Sequence, residues 1–364
     1  MNVLLTGGGT GGHIYPALAV AEALRALPLA QPLSLLFVGT RDRLEAKIVP
    51  QAGIPFVCVA AAPLQRRMSL AFARTLAMNA LGILQALCVL HRFRPDCVVA
   101  TGGYVTFPVV VAMRLARGLG LSQGKIALLE PNARPGLTNR LLARLVDEIW
   151  VSYGDKNGLG PGKSVMTGTP VRASFSALPD ARDARTQLGL DPDKTTIVVM
   201  GGSQGAHSLN AAVAALNLSK DRQILLLTGR CDEIVPGRPG VVVREYLDDM
   251  RIAYAAADAA VTRAGASTLA ELAATRTPAI LVPYPHATDA HQLHNAARFV
   301  CTGAARMLLD RELSDRLQTE LEEVLAPQTL ADMRQAASSL ALLDASGRTA
   351  RRVVSLVTEK RRQG

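Results

Sequence analysis

Asn2-Val3-Leu4-Leu5 leads through Thr6 into Gly7-Gly8-Gly9-Thr10-Gly11-Gly12-His13, and Thr196-Ile197-Val198-Val199-Met200 leads into Gly201-Gly202-Ser203-Gln204-Gly205-Ala206-His207. Each copy is a short apolar run, a glycine-rich turn and then a stretch of helical pattern. Glycine lets backbone N–H groups come close to a ligand, and the helix N-terminus behind the turn favours negative charge. One such loop is a weak signal. Two of them, about half a chain apart and each at the first strand of its half, indicate a pair of Rossmann-like domains.

The rest of the chain repeats the style. Short apolar runs at 2–6, 33–38, 56–60, 97–101, 126–129 and 148–151 alternate with helical stretches at 16–27, 42–52, 69–92, 107–118 and 136–145. A second series of strands is expected near 196–200, 223–228, 241–244, 258–262, 279–282 and 305–309. Such alternation implies an α/β fold with parallel sheets covered on both faces. Gly158–Ser174, with four glycines and two prolines, is the expected domain boundary. The expected division is therefore 1–163, 164–345 and an amphipathic C-terminal helix with basic tail at 346–364, its apolar face formed by Ala350, Val353, Val354 and Val357.

With 364 residues, 49% of them hydrophobic and 19% charged, the chain can build two full cores. Arg74 and Asn79 interrupt the longest apolar region, so no transmembrane span is expected, and the N-terminus shows no signal-peptide pattern. The scattered Cys58, Cys88, Cys97, Cys231 and Cys301 lack metal spacing and read as reduced core thiols of a cytoplasmic protein. Residues 1–163 hold 17 Lys and Arg against 8 Asp and Glu, nine of the ten net positive charges of the chain. That asymmetry fits an anionic membrane surface or a phosphorylated substrate. Nucleic acid fits least, because aromatics make up 4% and no nucleic-acid motif is present.

Several chemistries compete for the loops. A dinucleotide enzyme would show GxGxxG in register and an acidic residue closing the second strand; Phe37-Val38-Gly39-Thr40 offers none. His286, Asp289, His291 and His294 have metal-ligand character, with His291 and His294 on one helical face, but no further Cys or His lies nearby in sequence. Asp191-Pro192-Asp193 mimics a metal-binding DxD and reads better as a turn before the strand at 196. Thr268 and Glu271 have capping-box spacing.

A set of motifs in one order is more specific: Gly8-Gly9-Thr10-Gly11-Gly12-His13-Ile14-Tyr15-Pro16-Ala17, Thr101-Gly102-Gly103-Tyr104-Val105, Glu130-Pro131-Asn132, Gly201-Gly202-Ser203-Gln204-Gly205-Ala206, Arg263-Ala264-Gly265-Ala266-Ser267-Thr268-Leu269-Ala270-Glu271 and His291-Gln292-Leu293-His294-Asn295-Ala296. Over nearly its whole length the chain resembles the MurG family of bacterial glycosyltransferases. The resemblance implies a GT-B fold, two Rossmann-like domains with parallel sheets facing across a cleft and helices at the C-terminus. It implies transfer of N-acetylglucosamine from UDP-N-acetylglucosamine to lipid I, an undecaprenyl-linked acceptor, to form lipid II at the cytoplasmic face of the membrane. No cofactor or metal belongs to that reaction. Rival functions are another UDP-sugar transferase with a lipid acceptor, an NAD-dependent oxidoreductase and a non-catalytic nucleotide-binding module.

The resemblance also implies residue roles. Ser203 and its loop, with Arg172 from the hinge, would meet the diphosphate. Leu247 would read the uracil through its backbone. Ala266, Ser267, Thr268, Leu269, Ala270 and Glu271 would wrap the nucleotide, Glu271 accepting from the ribose hydroxyls. Gln292 would bind hydroxyls of the transferred sugar. Thr10, Gly11, Gly12, Tyr104 and Asn132 would serve the acceptor, with His13 the first candidate base or acceptor anchor and Glu130 the second candidate base. Two positions depart from the family: Pro131 where glutamine is common, and His207 where arginine is common. The apolar helix expected at 69–92, flanked by Arg66, Arg67, Arg74, Arg92 and Arg94, has more apolar surface than one sheet can bury and reads in part as a membrane-surface patch.

Overall fold

The computed structural model describes residues 1–63, 70–154, 159, 163–202, 205–229, 238–340 and 344–363. The chain divides into two units, Met1–Ala173 with Asp344–Gly364, and Ser174–Leu343.

The first unit runs β1 (Asn2–Thr6), α1 (Gly11–Ala26), β2 (Ser34–Gly39), α2 (Glu45–Gln51), β3 (Phe56–Cys58), α3 (Leu70–Phe93), β4 (Cys97–Ala100), α4 (Thr106–Gly118), β5 (Lys125–Glu130), α5 (Leu137–Leu142), β6 (Glu148–Val151) and β7 (Ser164–Met166). Its strands pair in parallel in the order β3-β2-β1-β4-β5-β6-β7. Val3, Leu4 and Leu5 are fully buried, as a strand covered on both faces requires. One side of the sheet is packed by α1 and the C-terminal helix Ala345–Gln363, whose Ala350, Val353, Leu356 and Val357 enter the core beside Ile14, Val20 and Phe37. The other side is packed by α3 and α4 around Leu4, Val98, Val109 and Met113.

The second unit runs α6 (Ala181–Leu188), β8 (Thr195–Met200), α7 (His207–Ala215), β9 (Arg222–Leu227), β10 (Val241–Arg244), α8 (Met250–Ala256), β11 (Ala259–Thr262), α9 (Ala266–Thr275), β12 (Ala279–Leu281), α10 (His291–Val300), β13 (Ala305–Met307), α11 (Leu313–Val324) and α12 (Pro327–Leu340). Its parallel sheet has the order β10-β9-β8-β11-β12-β13. In both sheets the order reverses beside the strand that feeds the glycine loop, at β1/β4 and at β8/β11. Ligands of such sheets bind beyond the carboxyl ends of the strands at that reversal.

Three expectations need correction. The first unit extends to Ala173, past the expected boundary at 163, because Ser164–Met166 add a seventh strand beside β6. The terminal helix is no separate element but part of the first unit's core; Ser346 Oγ accepts from Val171 N–H at 3.0 Å and donates to its carbonyl at 2.6 Å. Only Cys97 among the described cysteines is buried; Cys88 and Cys301 are exposed. Helix α3 satisfies the length and composition of a membrane span from Phe72 to Phe93, a property it shares with core helices of globular proteins, so the expectation of no transmembrane span is not overturned. Asn79 does not break it, because its amide is turned inward onto the backbone N–H and carbonyl of Ala62.

Candidate active site

In the first unit, the loops after β1 and β4 are locked together. Gly8 N–H donates to the Gly102 carbonyl at 3.4 Å, and Thr101 Oγ1 donates to the His13 carbonyl at 2.6 Å. Gly103 approaches so closely that a Cβ there would lie 2.2 Å from the Gly8 oxygen. His13 sits in the first turn of α1 with Nδ1 3.0 Å from the Thr101 carbonyl. A carbonyl only accepts, so Nδ1 carries the hydrogen, and in the neutral imidazole Nε2 then carries the lone pair. Thr10 is the exposed N-cap residue of α1 and makes no side-chain cap bond. Gly11 and Gly12 follow half-buried, and the Tyr104 ring closes over Gly9, 3.2 Å from where a Cβ would stand. The structure thus brings Thr10, Gly11, Gly12, His13 and Tyr104 to one pair of strand ends.

Glu130 closes the neighbouring strand β5 and is 1% exposed. Its carboxylate accepts from Asn132 N–H and Nδ2, Gly136 N–H and Asn139 Nδ2 at 2.8–3.1 Å. Burial holds its pKa above the usual carboxylate value, against those four bonds. A carboxylate so enclosed shapes the 131–136 loop, which argues against its reaching a substrate as a base. Pro131 is buried, and Asn132 beside it folds back onto Glu130. Arg172, two residues after Pro170, lies over the Tyr15 ring on α1 at 5.5 Å from its centroid.

In the second unit, Ser203 lies outside the described residues. Around it, Gly202 and Gly205 have φ of +84° and +76°, and Gly205 N–H closes the turn on the Gly202 carbonyl at 2.9 Å. Helix α7 starts after Ala206 and α9 after Gly265, and neither residue provides a side-chain cap. Two helix N-termini at adjacent strand ends therefore lack a side-chain acceptor from their N-cap residues, which suits an anionic ligand. Ala266, Ser267, Thr268, Leu269, Ala270 and Glu271 form the start of α9. The capping-box reading of Thr268 and Glu271 fails, because the helix begins before Thr268. Glu271 Oε2 instead accepts from the buried Tyr254 hydroxyl at 2.9 Å. Burial and that carboxylate together push the Tyr254 pKa well above its ordinary value.

Gln292, in the first turn of α10, accepts through Oε1 from Tyr284 N–H at 2.9 Å. The turn before it carries Asp289 and Ala290 at φ of 53° and 51°, a left-handed conformation that costs about 1–3 kcal/mol per residue and concentrates at functional sites. Leu247 is half-buried just past the edge strand β10. Among the described residues no three His, Cys, Asp or Glu side chains group as a metal site. Asp191 and Asp193 form a turn, Asp193 N–H donating to Asp191 Oδ1 at 3.0 Å.

Sequence reasoning missed the scaffold behind these groups. Arg263, 8% exposed, donates to Asp310 Oδ1 at 2.5 Å, Ser208 Oγ at 2.9 Å and the Val282 carbonyl at 3.3 Å, tying α7 to the end of β12. Asn295 donates from α10 to the Ala264 carbonyl at 3.2 Å. Both residues stand inside the quoted motifs, but nothing in their spacing distinguishes a tie between loops from a ligand contact.

Residues 3–151 match the glycosyltransferase family 28 N-terminal domain, and residues 196–348 match the glycosyltransferase family 28 C-terminal domain. A protein of Desulforudis audaxviator named UDP-N-acetylglucosamine–N-acetylmuramyl-(pentapeptide) pyrophosphoryl-undecaprenol N-acetylglucosamine transferase is 41% identical, covering 93% of this chain and 94% of its own. The chain belongs to the MurG family of glycosyltransferases. A Bacillus thuringiensis protein of the same transferase name is 38% identical over 96% of this chain and 97% of its own. The crystal structure of Acinetobacter baumannii MurG superposes with a TM-score of 0.70 at 25% identity, covering 98% and 99% of the two chains. Membership in the MurG family makes the chain a GT-B glycosyltransferase and sets aside the NAD oxidoreductase and the non-catalytic module.

Proposed function

We infer that the chain transfers N-acetylglucosamine from UDP-N-acetylglucosamine to the 4-hydroxyl of the muramoyl sugar of lipid I, with inversion, releasing UDP and forming lipid II. The match of both halves to family 28, with relatives named for this transfer at 41% identity, carries the reading. The first unit serves the acceptor and the second the nucleotide sugar.

The chemistry follows from the side chains. Nε2 of His13, its lone pair set by the Nδ1–Thr101 bond, takes the proton of the 4-hydroxyl as that oxygen attacks the anomeric carbon. The C1–oxygen bond to UDP breaks, and negative charge builds on the diphosphate. The amides of the 201–206 loop, the α7 N-terminus, Ser203 and Arg172 offset that charge, so the protein supplies it without a divalent ion. Glu271, oriented by Tyr254, accepts from the ribose hydroxyls, while Ala266–Ala270 line the nucleotide and Leu247 meets the base. Gln292 binds the transferred sugar. Thr10, Gly11, Gly12, Tyr104 and Asn132 contact the acceptor, and Glu130 holds the Asn132 loop.

The enzyme works as a peripheral protein on the cytoplasmic face of the membrane, drawn to anionic lipid. Exposed leucines support this: Leu76, Leu81 and Leu84 on α3, Leu115 on α4, Leu119 and Leu121 just beyond it, and Leu141 on α5. Helix α3 turns Thr75, Asn79, Gly82, Ala86 and Leu90 inward and leaves Leu76, Leu81 and Leu84 outside. The flanking Arg66 and Arg67 lie outside the described residues.

NMR of the product formed from UDP-N-acetylglucosamine and a short-chain lipid I analogue tests the mechanism. A β-1,4 linkage is expected. An α linkage, or transfer to diacylglycerol in preference to the lipid I analogue, would overturn it.

A further inference from the structure

Glu45 is a fully buried carboxylate that takes no part in the transfer chemistry, yet it lies directly beneath the acceptor loop. It opens α2. Its Oε1 accepts from Thr40 Oγ1 at 2.6 Å and from Thr40 N–H at 3.2 Å, and its Oε2 accepts from Gly9 N–H at 3.2 Å. The niche exists because of two glycines: a Cβ on Gly8 would stand 2.4 Å from Oε1, and one on Gly39 would stand 2.8 Å from Cγ.

Burying a carboxylate is costly unless its bonds repay it, and a neutral side chain of the same size would fill the niche with less penalty. What a second carboxylate oxygen adds is an acceptor for a backbone N–H, which an amide in the same place would not offer while its own oxygen serves Thr40. That N–H belongs to Gly9, whose φ of +87° marks the sharpest point of the turn from β1 into α1. The opposite side of the same turn is held by Gly8 N–H on the Gly102 carbonyl. The turn is thus gripped from α2 on one side and from the β4 loop on the other. Because Gly9 N–H is occupied by Glu45, the groups of the loop that can face a ligand begin at Thr10.

We propose that Glu45 is a positioning residue of the acceptor site, fixing through Gly9 N–H the place from which Thr10, Gly11, Gly12 and His13 meet the acceptor. This rests on the acceptor role of the first unit. A carboxylate that served fold stability alone would act equally through either oxygen, so two variants separate the roles. Glu45→Gln keeps an oxygen for Thr40 but turns an NH2 group toward Gly9 N–H. Thr40→Val removes the hydroxyl bond and leaves the Gly9 bond intact.

The steady-state constants of both variants are measured with a short-chain lipid I analogue, alongside UDP affinity by calorimetry and melting temperature. Glu45→Gln should raise the acceptor KM ~10-fold or more, the scale of a misplaced binding loop, with UDP affinity within about twofold of wild type. Thr40→Val should lower the melting temperature and leave the acceptor KM within about twofold. An unchanged acceptor KM in Glu45→Gln, or an equal rise in both variants, would overturn the proposal. Should Glu45→Gln not fold, hydrogen exchange of the Gly9 amide in the wild-type protein decides: slow exchange supports the anchor, and exchange at the rate of an open amide refutes it. A wild-type protein that transfers no sugar would refute the functional reading instead, and Gly9 exchange would still report on Glu45.

Discussion

His13 shows how much one hydrogen bond decides. The Thr101 carbonyl takes the Nδ1 hydrogen and leaves Nε2 for the base role proposed above. His13→Ala should cut turnover by ~10²–10⁴-fold, the usual share of general acid–base catalysis, with UDP affinity by calorimetry unchanged. A large loss of UDP affinity at normal turnover would contradict the assignment. Glu271 is proposed to serve the donor. Its bond from Tyr254 fixes the carboxylate, so Glu271→Ala should raise the donor KM, and Tyr254→Phe should raise it less, by the ~1 kcal/mol of one hydrogen bond. A 2′-deoxy donor should hurt the wild type far more than Glu271→Ala; equal losses would remove Glu271 from the ribose. The sequence made these residues visible through their motifs, yet it could not reveal what holds them. Arg263, Tyr254 and Glu45 act on positions far along the chain, and no local pattern records such partners.

Among the elements, those covered on both faces were the most legible. Strands β1 and β8 are unbroken apolar runs because water touches neither face, and the glycines that end them mark the turns. Strand β7 has three residues, too few for any periodicity to register, and so the sequence pattern places the domain boundary ahead of it. Helix α3 was legible as apolar but not as inside out: Asn79 and Gly82 face inward because Ala62 needs the amide and the Ala60 carbonyl leaves no room for a side chain. Leu84 on that helix is 62% exposed. Replacing Leu76, Leu81 and Leu84 with serine should abolish the salt-resistant part of binding to vesicles containing anionic lipid in a sedimentation assay. Arg74→Glu should remove a salt-sensitive part worth ~1 kcal/mol. Vesicle binding equal to wild type in both variants would move the membrane face elsewhere.

The whole molecule is organised by a return of the chain. The last helix closes the first unit's core, with Val353 fully buried and Arg352 paired with Glu148. Val353→Ala should therefore destabilise the first unit by ~1–3 kcal/mol in denaturant unfolding, although it lies at the opposite end of the sequence from β1. The amphipathic pattern of that helix was readable, but its partner was not, since periodicity gives a face and never the surface it meets. The two glycine loops, by contrast, foretold two sheets because each loop is complete within a few residues.

Transfer of labelled sugar from UDP-N-acetylglucosamine to a short-chain lipid I analogue, with excess EDTA present, tests the central claim most directly. The account predicts full transfer and release of UDP in the chelator, since loop amides, a helix N-terminus and Arg172 are proposed to meet the leaving charge. No transfer to the lipid I analogue, or transfer lost in EDTA and restored by a divalent ion, would contradict it.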